Sequence, residues 1–147
     1  MNKHLIGALA ALFVNAAAWA QGAMPLMELT AGFHRIEAEV AATDRDRQVG
    51  LMNRREMPPQ RGMLFVFDHE NTHCMWMRNT YLPLSVAFID ARGVIINIAD
   101  MKPQTEDNHC AKVPARYALE MNVGWFAQRG IKPGTKLGGI DKAPRPH

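Results

Sequence analysis

Hydrophobic and polar positions alternate from Phe33 to Ala41, with Ile36, Ala38 and Val40 on one side and Arg35, Glu37 and Glu39 on the other. A period of two is the signature of a strand with one wet face. The same rhythm returns over Arg116–Met121, where Tyr117, Leu119 and Met121 oppose Arg116, Ala118 and Glu120. Met63–Phe67 is instead a continuous apolar run of strand length, which predicts a strand buried on both faces. Leu84–Ile89 and Val94–Ile98 flank the turn sequence Asp90-Ala91-Arg92-Gly93 and read as a hairpin. Cys74–Met77 and the neighbourhood of Leu137 add two short strands.

The helical signals are brief. Thr43 followed by Asp46 opens a short helix expected to reach about Met52, and Asn122 is expected to cap a second that stops at Gly130. Between the strands, Asn53–Gly62 with Pro58-Pro59 and the polar Lys102–Pro114 are loops, and Asp68–Thr72 breaks the strand before it. Many short strands without a strand–helix rhythm predict a mainly β fold with two short helices. An antiparallel sandwich or partly closed barrel fits best.

The first residues do not belong to that fold. Lys3 and His4 precede an apolar core from Leu5 to Val14, and Ala18-Trp19-Ala20 ends it with a small-x-small cleavage pattern. This is a signal peptide over residues 1–20, and its apolar run is too short for a membrane span of about 20 residues. The expected organisation is then an N-terminal extension over residues 21–32, one β-sandwich domain over 33–140 and a disordered tail over 141–147. Removing Lys3 from the 17 basic residues leaves 16 against 14 acidic ones, a net of about +2. These are scattered, with Arg54-Arg55 the one adjacent pair, so no stripe suited to nucleic acid is present. A periplasmic or secreted monomer follows, with no membrane span after cleavage and an unknown small ligand or envelope protein as partner.

Several landmarks occur in a set order: GLM with Arg54, GMLFVF, WMRNT, PL, FID with a turn glycine, and LE before a glycine-containing helix. In these the chain resembles the domain-of-unknown-function family numbered 192, small exported or lipid-anchored prokaryotic proteins, over about Arg35 to Leu137. The resemblance implies a mainly antiparallel, jelly-roll-like β fold and brings no activity. Its recurrent positions fall on Gly50, Leu51, Met52, Arg54, Gly62, Phe65, Trp76, Met77, Arg78, Asn79, Thr80, Pro83, Leu84, Glu120 and Gly124. The residue after Pro83-Leu84 is commonly acidic in the family but is Ser85 here, and Cys74 and Cys110 lie outside the pattern.

Two constellations can carry chemistry. Arg54, Trp76, Arg78, Asn79, Thr80 and Glu120 form a candidate ligand site. There an aromatic platform would meet a sugar ring or other flat group while an arginine grips a carboxylate or phosphate. The structural alternative is an Arg78–Glu120 or Arg54–Glu120 ion pair plugging one end of the barrel. On a strand Trp76 and Arg78 would share a face. The second constellation is the repeated dipeptide His73-Cys74 and His109-Cys110. In an exported protein a disulfide is the simplest reading. Two others stay open: two free thiols, or a copper or zinc site using His73, Cys74, His109 and Cys110 with nearby methionines. No other cofactor is expected. GxSxG, HExxH and P-loop patterns are absent, so an envelope enzyme acting on polysaccharide would depend on Glu120 with Asp90 or Asp100. A binding or accessory module of the cell envelope is the leading expectation.

Overall fold

The computed structural model describes residues 23–147; the signal peptide expected over 1–20 lies outside the described residues. The strands are β1 (Leu26–Ala31), β2 (His34–Ala41), β3 (Arg61–Asn71), β4 (Cys74–Met75), β5 (Leu84–Ile89), β6 (Ile95–Met101), β7 (His109–Cys110), β8 (Ala115–Asn122) and β9 (Leu137–Gly138). Two short helices, α1 (Asp44–Val49) and α2 (Trp125–Gln128), accompany them. Seven strands join one sheet in the order β6-β5-β8-β3-β2-β1-β9, and β4 pairs with β7 in a separate ribbon. The sheet curls until its two edges touch. Val94, just before β6, bridges Lys136, just before β9, while Ile95 N donates to Thr135 O and Leu137 N to Gly93 O. The mainly β, partly closed architecture agrees with the pattern of the chain.

One pairing departs from it. β2 and β3 run parallel, with Glu37–Ala41 alongside Arg61–Phe65, whereas the other pairs in the sheet are antiparallel. A parallel pair needs a crossover, which α1 and the proline loop supply. A helix of six residues is too short to leave a helical period, so the strand–helix–strand unit is invisible in the pattern.

Both faces of the sheet are covered, which explains the unbroken apolar run in β3. Leu64 and Val66 pack with Leu119, Met121, Trp125 and Phe126 on one face. Met63, Phe65 and Phe67 pack with Val86, Phe88, Leu51 and Met77 on the other. Where β3 meets β8, Gly62 lies opposite Met121, and a Cβ there would come within 2.6 Å of the Glu120 carbonyl oxygen and 2.3 Å of the Met121 sulfur. The backbone cannot retreat as a side chain can. Gly62→Ala is therefore expected to cost about 1–3 kcal/mol in urea denaturation, as overpacked core positions do.

Several boundaries differ from expectation for identifiable reasons. The expected extension is, over its described residues 23–32, part of the sheet: β1 pairs with both β2 and β9, and it buries Leu29 and Ala31. Gly32, at φ 58°, makes the tight two-residue connection to β2. β3 runs on through Asp68 to Asn71 after a register shift, because its exposed end still finds Ala115 of β8. α2 is preceded by Gly124 in a left-handed conformation, whereas Asn122 stays in β8 and donates to Met57 O. The tail is also attached. Ile140 is buried at the start of a 3-10 turn, Ile140–Lys142, and His147 N donates to Ala42 O.

Candidate functional site

Glu120 stands on β8 in the middle of the sheet, between Met63 of β3 and Val86 of β5, and is only 4% exposed. Two segments close over it, the loop after α1 and the turn that carries Trp76 to Thr80. Together they leave a crevice of about 30 Å³ lined by Arg47, Gln48, Val49, Gly50, Leu51, Met52, Phe65, Trp76, Thr80 and Glu120. That space admits one small polar group, such as a hydroxyl or a carbonyl oxygen.

Local chemistry places both segments. Thr43 caps α1 by accepting from Asp46 N at 3.0 Å, as its spacing predicted. Gly50 ends the helix at φ 48°, where a Cβ would come within 3.1 Å of the Phe65 ring, so the chain turns close above β3. Asn53 N then donates to Asn79 O at 2.9 Å, Thr80 N to Met77 O at 3.1 Å, Met77 N to Thr105 O at 3.0 Å and Gln104 N to Thr80 O at 3.0 Å. Asn53, Asn79 and Gln104 are the non-glycine residues with positive φ among the described residues, at 63°, 53° and 60°. All three take part in the bonds that hold this wall. Such conformations persist only where the surroundings over-determine them, and they cluster at functional sites.

The far end of the wall is held covalently. Cys74 and Cys110 lie directly opposite each other in the β4–β7 ribbon and are disulfide-bonded. Asn97 anchors the ribbon by donating to Cys110 O and accepting from Lys112 N.

The charges distribute differently from either ion pair considered above. Arg54 makes two bonds to Glu39, at 3.1 and 2.6 Å, which raise its pKa further above the ordinary guanidinium value. Arg78 sits 3.6 Å from Glu106. Arg47 donates to Ala42 O, Val66 O, Asp44 and Asp68. Among the described residues no cation pairs with Glu120, and burial pushes its carboxyl up to about 8. It is a neutral acid at pH 7, able both to donate and to accept one hydrogen bond.

The structure thus brings Trp76, Thr80 and Glu120 into one crevice and leaves the other candidates at its margin. Arg78 and Trp76 do not share a strand face, because the strand stops at Met75; a turn instead lays the guanidinium 5.6 Å from the indole centroid. Asn79 is exposed and makes the left-handed corner of that turn. Arg54 lines a neighbouring cleft of about 510 Å³ with Met24, Arg45, Asp46 and Asn53; Val49, Gly50 and Met52 form the partition between the two spaces. Two residues escaped notice in the sequence. Arg55 lies 4.4 Å over the ring of Tyr81, and the only hints were the Arg54-Arg55 pair and the tyrosine following Thr80.

Other proposed chemistry is dispersed. The disulfide occupies both cysteine sulfurs of the imagined metal set, and His73 stacks on Phe67 at 3.8 Å while its Nε2 meets His69 O. Among the described residues no group of three or more His, Cys, Asp or Glu is placed to hold a metal ion. Asp100 aligns with Ser85 and Met121, on the opposite face from Glu120, and accepts from Ser85 Oγ at 2.5 Å. Asp90 closes the hairpin turn by accepting from Arg92 N and Val94 N. Among the described residues Glu120 therefore has no second carboxylate in its crevice.

The sequence profile of DUF192, described as Uncharacterized ACR, matches residues 27–139. The chain belongs to the DUF192 family. Its fold recurs in a crystal structure from Sinorhizobium meliloti 1021, provisionally described as a transcription regulator. That structure shares 38% identity over 77% of this chain and 91% of its own, with a TM-score of 0.72. A protein of unknown function from Novosphingobium aromaticivorans DSM 12444 shares 34% identity over 78% of this chain and 85% of its own, with a TM-score of 0.75. No curated protein matches. Gly50, Leu51, Met52, Phe65, Trp76, Thr80 and Glu120, among the positions expected from the resemblance, all line the crevice. At the departing position, Ser85 is buried and Asp100 supplies the adjacent carboxylate from β6. Among the described residues no helix is long and apolar enough to cross a membrane.

Proposed function

We propose that this DUF192 protein is an exported binding module of the cell envelope that admits the polar tip of a small ligand into the crevice over Glu120. The observation that carries the reading is Glu120 itself, a buried carboxyl with no partner among the described residues, facing a crevice whose walls are held in strained turns. An unpartnered buried polar group costs stability and is kept where it serves a site. A ligand hydroxyl or carbonyl would satisfy it, and Trp76, 44% exposed, would cover the rest of that ligand. Export is supported by the leader pattern of residues 1–20 and by the disulfide, which persists in oxidising compartments.

The test is a thermal-shift screen of hydroxyl- and carbonyl-bearing metabolites against the mature protein. Any ligand found should bind at least about tenfold more weakly to Trp76→Ala and Glu120→Gln, one lost hydrogen bond or contact being worth that factor. Both variants should remain folded, because Trp76 is half exposed and glutamine preserves the shape of Glu120. Ligands that bind both variants as tightly as the parent would place the site elsewhere.

A further inference from the structure

We propose that the outer lip of the crevice is an oxyanion-binding surface made of two arginine–aromatic stacks, and that the ligand bears a carboxylate or phosphate. The inference deepens the crevice reading and rests on it for the group that reaches Glu120, but not for the lip. Arg55 lies 4.4 Å over Tyr81 and Arg78 lies 5.6 Å from Trp76, both rings being partly exposed, at 37% and 44%. The bond from Asn53 N to Asn79 O fastens together the two segments that carry these residues.

Of the eleven arginines in the described residues five are closely paired with a carboxylate, and Arg55 and Arg78 are among the six that are not. Arg35, Arg47, Arg54, Arg61 and Arg92 each have a carboxylate within 3.0 Å. Arg55 has no carboxylate or hydrogen-bond acceptor among the described residues. The one ion-pair partner of Arg78 is Glu106 at 3.6 Å, with both side chains more than half exposed, a contact of little strength. Stacking fixes the plane of a guanidinium and leaves its N–H edge free, which is the geometry that takes a carboxylate or phosphate through paired hydrogen bonds. It also alters the aromatic-platform expectation: each ring already has a cation over it, so the lip suits an anion better than a neutral sugar face. Below it, an uncharged Glu120 would not repel that anion.

Two probes test the lip on the mature, disulfide-intact protein by titration calorimetry at low ionic strength: pyrophosphate and an oligogalacturonate. We expect saturable binding of at least one, and which one binds tells phosphate from carboxylate. Arg55→Ala and Arg78→Ala should each weaken it roughly tenfold, one charge-assisted bond apiece. Arg78→Lys, which keeps the charge but loses the fork, should weaken it several-fold. The proposal is overturned if neither probe binds, if the double alanine variant binds like the parent, or if Arg78→Lys is indistinguishable from it, the mark of diffuse charge attraction. Arginine-dependent binding that Glu120→Gln leaves unchanged would keep the lip and sink the crevice. Loss of both probes alongside a metabolite that needs Trp76 and Glu120 would do the reverse.

Discussion

Raising the pH from about 5 to about 8.5 should lower the unfolding free energy by roughly 3–5 kcal/mol, and Glu120→Gln should remove most of that fall. The sign follows from the direction of the shift. Burial raises the Glu120 carboxyl from 4.5 to about 8 in the folded protein. Below 4.5 both states hold the proton and the group contributes no pH dependence. Between 4.5 and 8 the unfolded chain has released it while the folded chain retains it, so each pH unit favours unfolding by about 1.4 kcal/mol. Above 8 both states are ionised and the loss is complete. Urea midpoints at pH 5, 7 and 8.5, taken for the parent and for Glu120→Gln, measure this. A glutamine variant that tracks the parent across the range would show that Glu120 ionises as an ordinary surface carboxylate. A variant markedly more stable above pH 8 would identify this side chain as stability given up for a site.

Replacing Cys74 and Cys110 together by serine should destabilise the fold by about 4 kcal/mol, the chain-entropy value for a closed loop of this size. The sequence separation of the two residues is 36. A domain of this length should then melt roughly 10–20 °C lower. The effect should concentrate on one element. A ribbon of two residues per strand cannot hold itself in water, and its remaining anchors include the paired bonds of Asn97, the bond from Ala111 N to His73 O and the His73 stack on Phe67. Amides of residues 73–80 and 104–112 should therefore lose the most protection in the serine variant, while exchange in β3, β5 and β8 speeds up only in proportion to the loss of global stability. The unreduced, denatured mature protein should show no reactive thiol. A full complement of thiols in exported material, or a cost below about 1 kcal/mol, would leave the ribbon held by Asn97 and not by the bridge.

Much of the fold is legible locally because a strand reports its own faces. The alternation in β2 separated Ile36, Ala38 and Val40 from Arg35 and Glu37 correctly, and the unbroken run in β3 announced two covered faces. The cap at Thr43 and the terminal Gly130, at φ 66°, were equally readable, since each depends on one or two neighbouring residues. The parallel pairing of β2 with β3 was not, because pairing is a choice between distant segments and α1 is too short to announce a crossover. β1 and Ile140 were missed for a related reason. Each contributes only one or two buried side chains, too few to make a period, and each is held by partners far along the chain.

The candidate site divides along the same line. The sequence by itself determined that Glu120 points away from Leu119 and Met121, that Trp76 and Thr80 stand close together, and that a polar cluster interrupts the strands there. Periodicity carries that information, because it states which residues share a face. Only the tertiary structure decided that loops from residues 50–53 and 76–80 cover Glu120, that Glu39 holds Arg54 and a turn lays Arg78 beside Trp76, and that Arg55 meets Tyr81. A side chain's charge state depends on what packs against its face, and those groups arrive from segments whose approach no local pattern encodes.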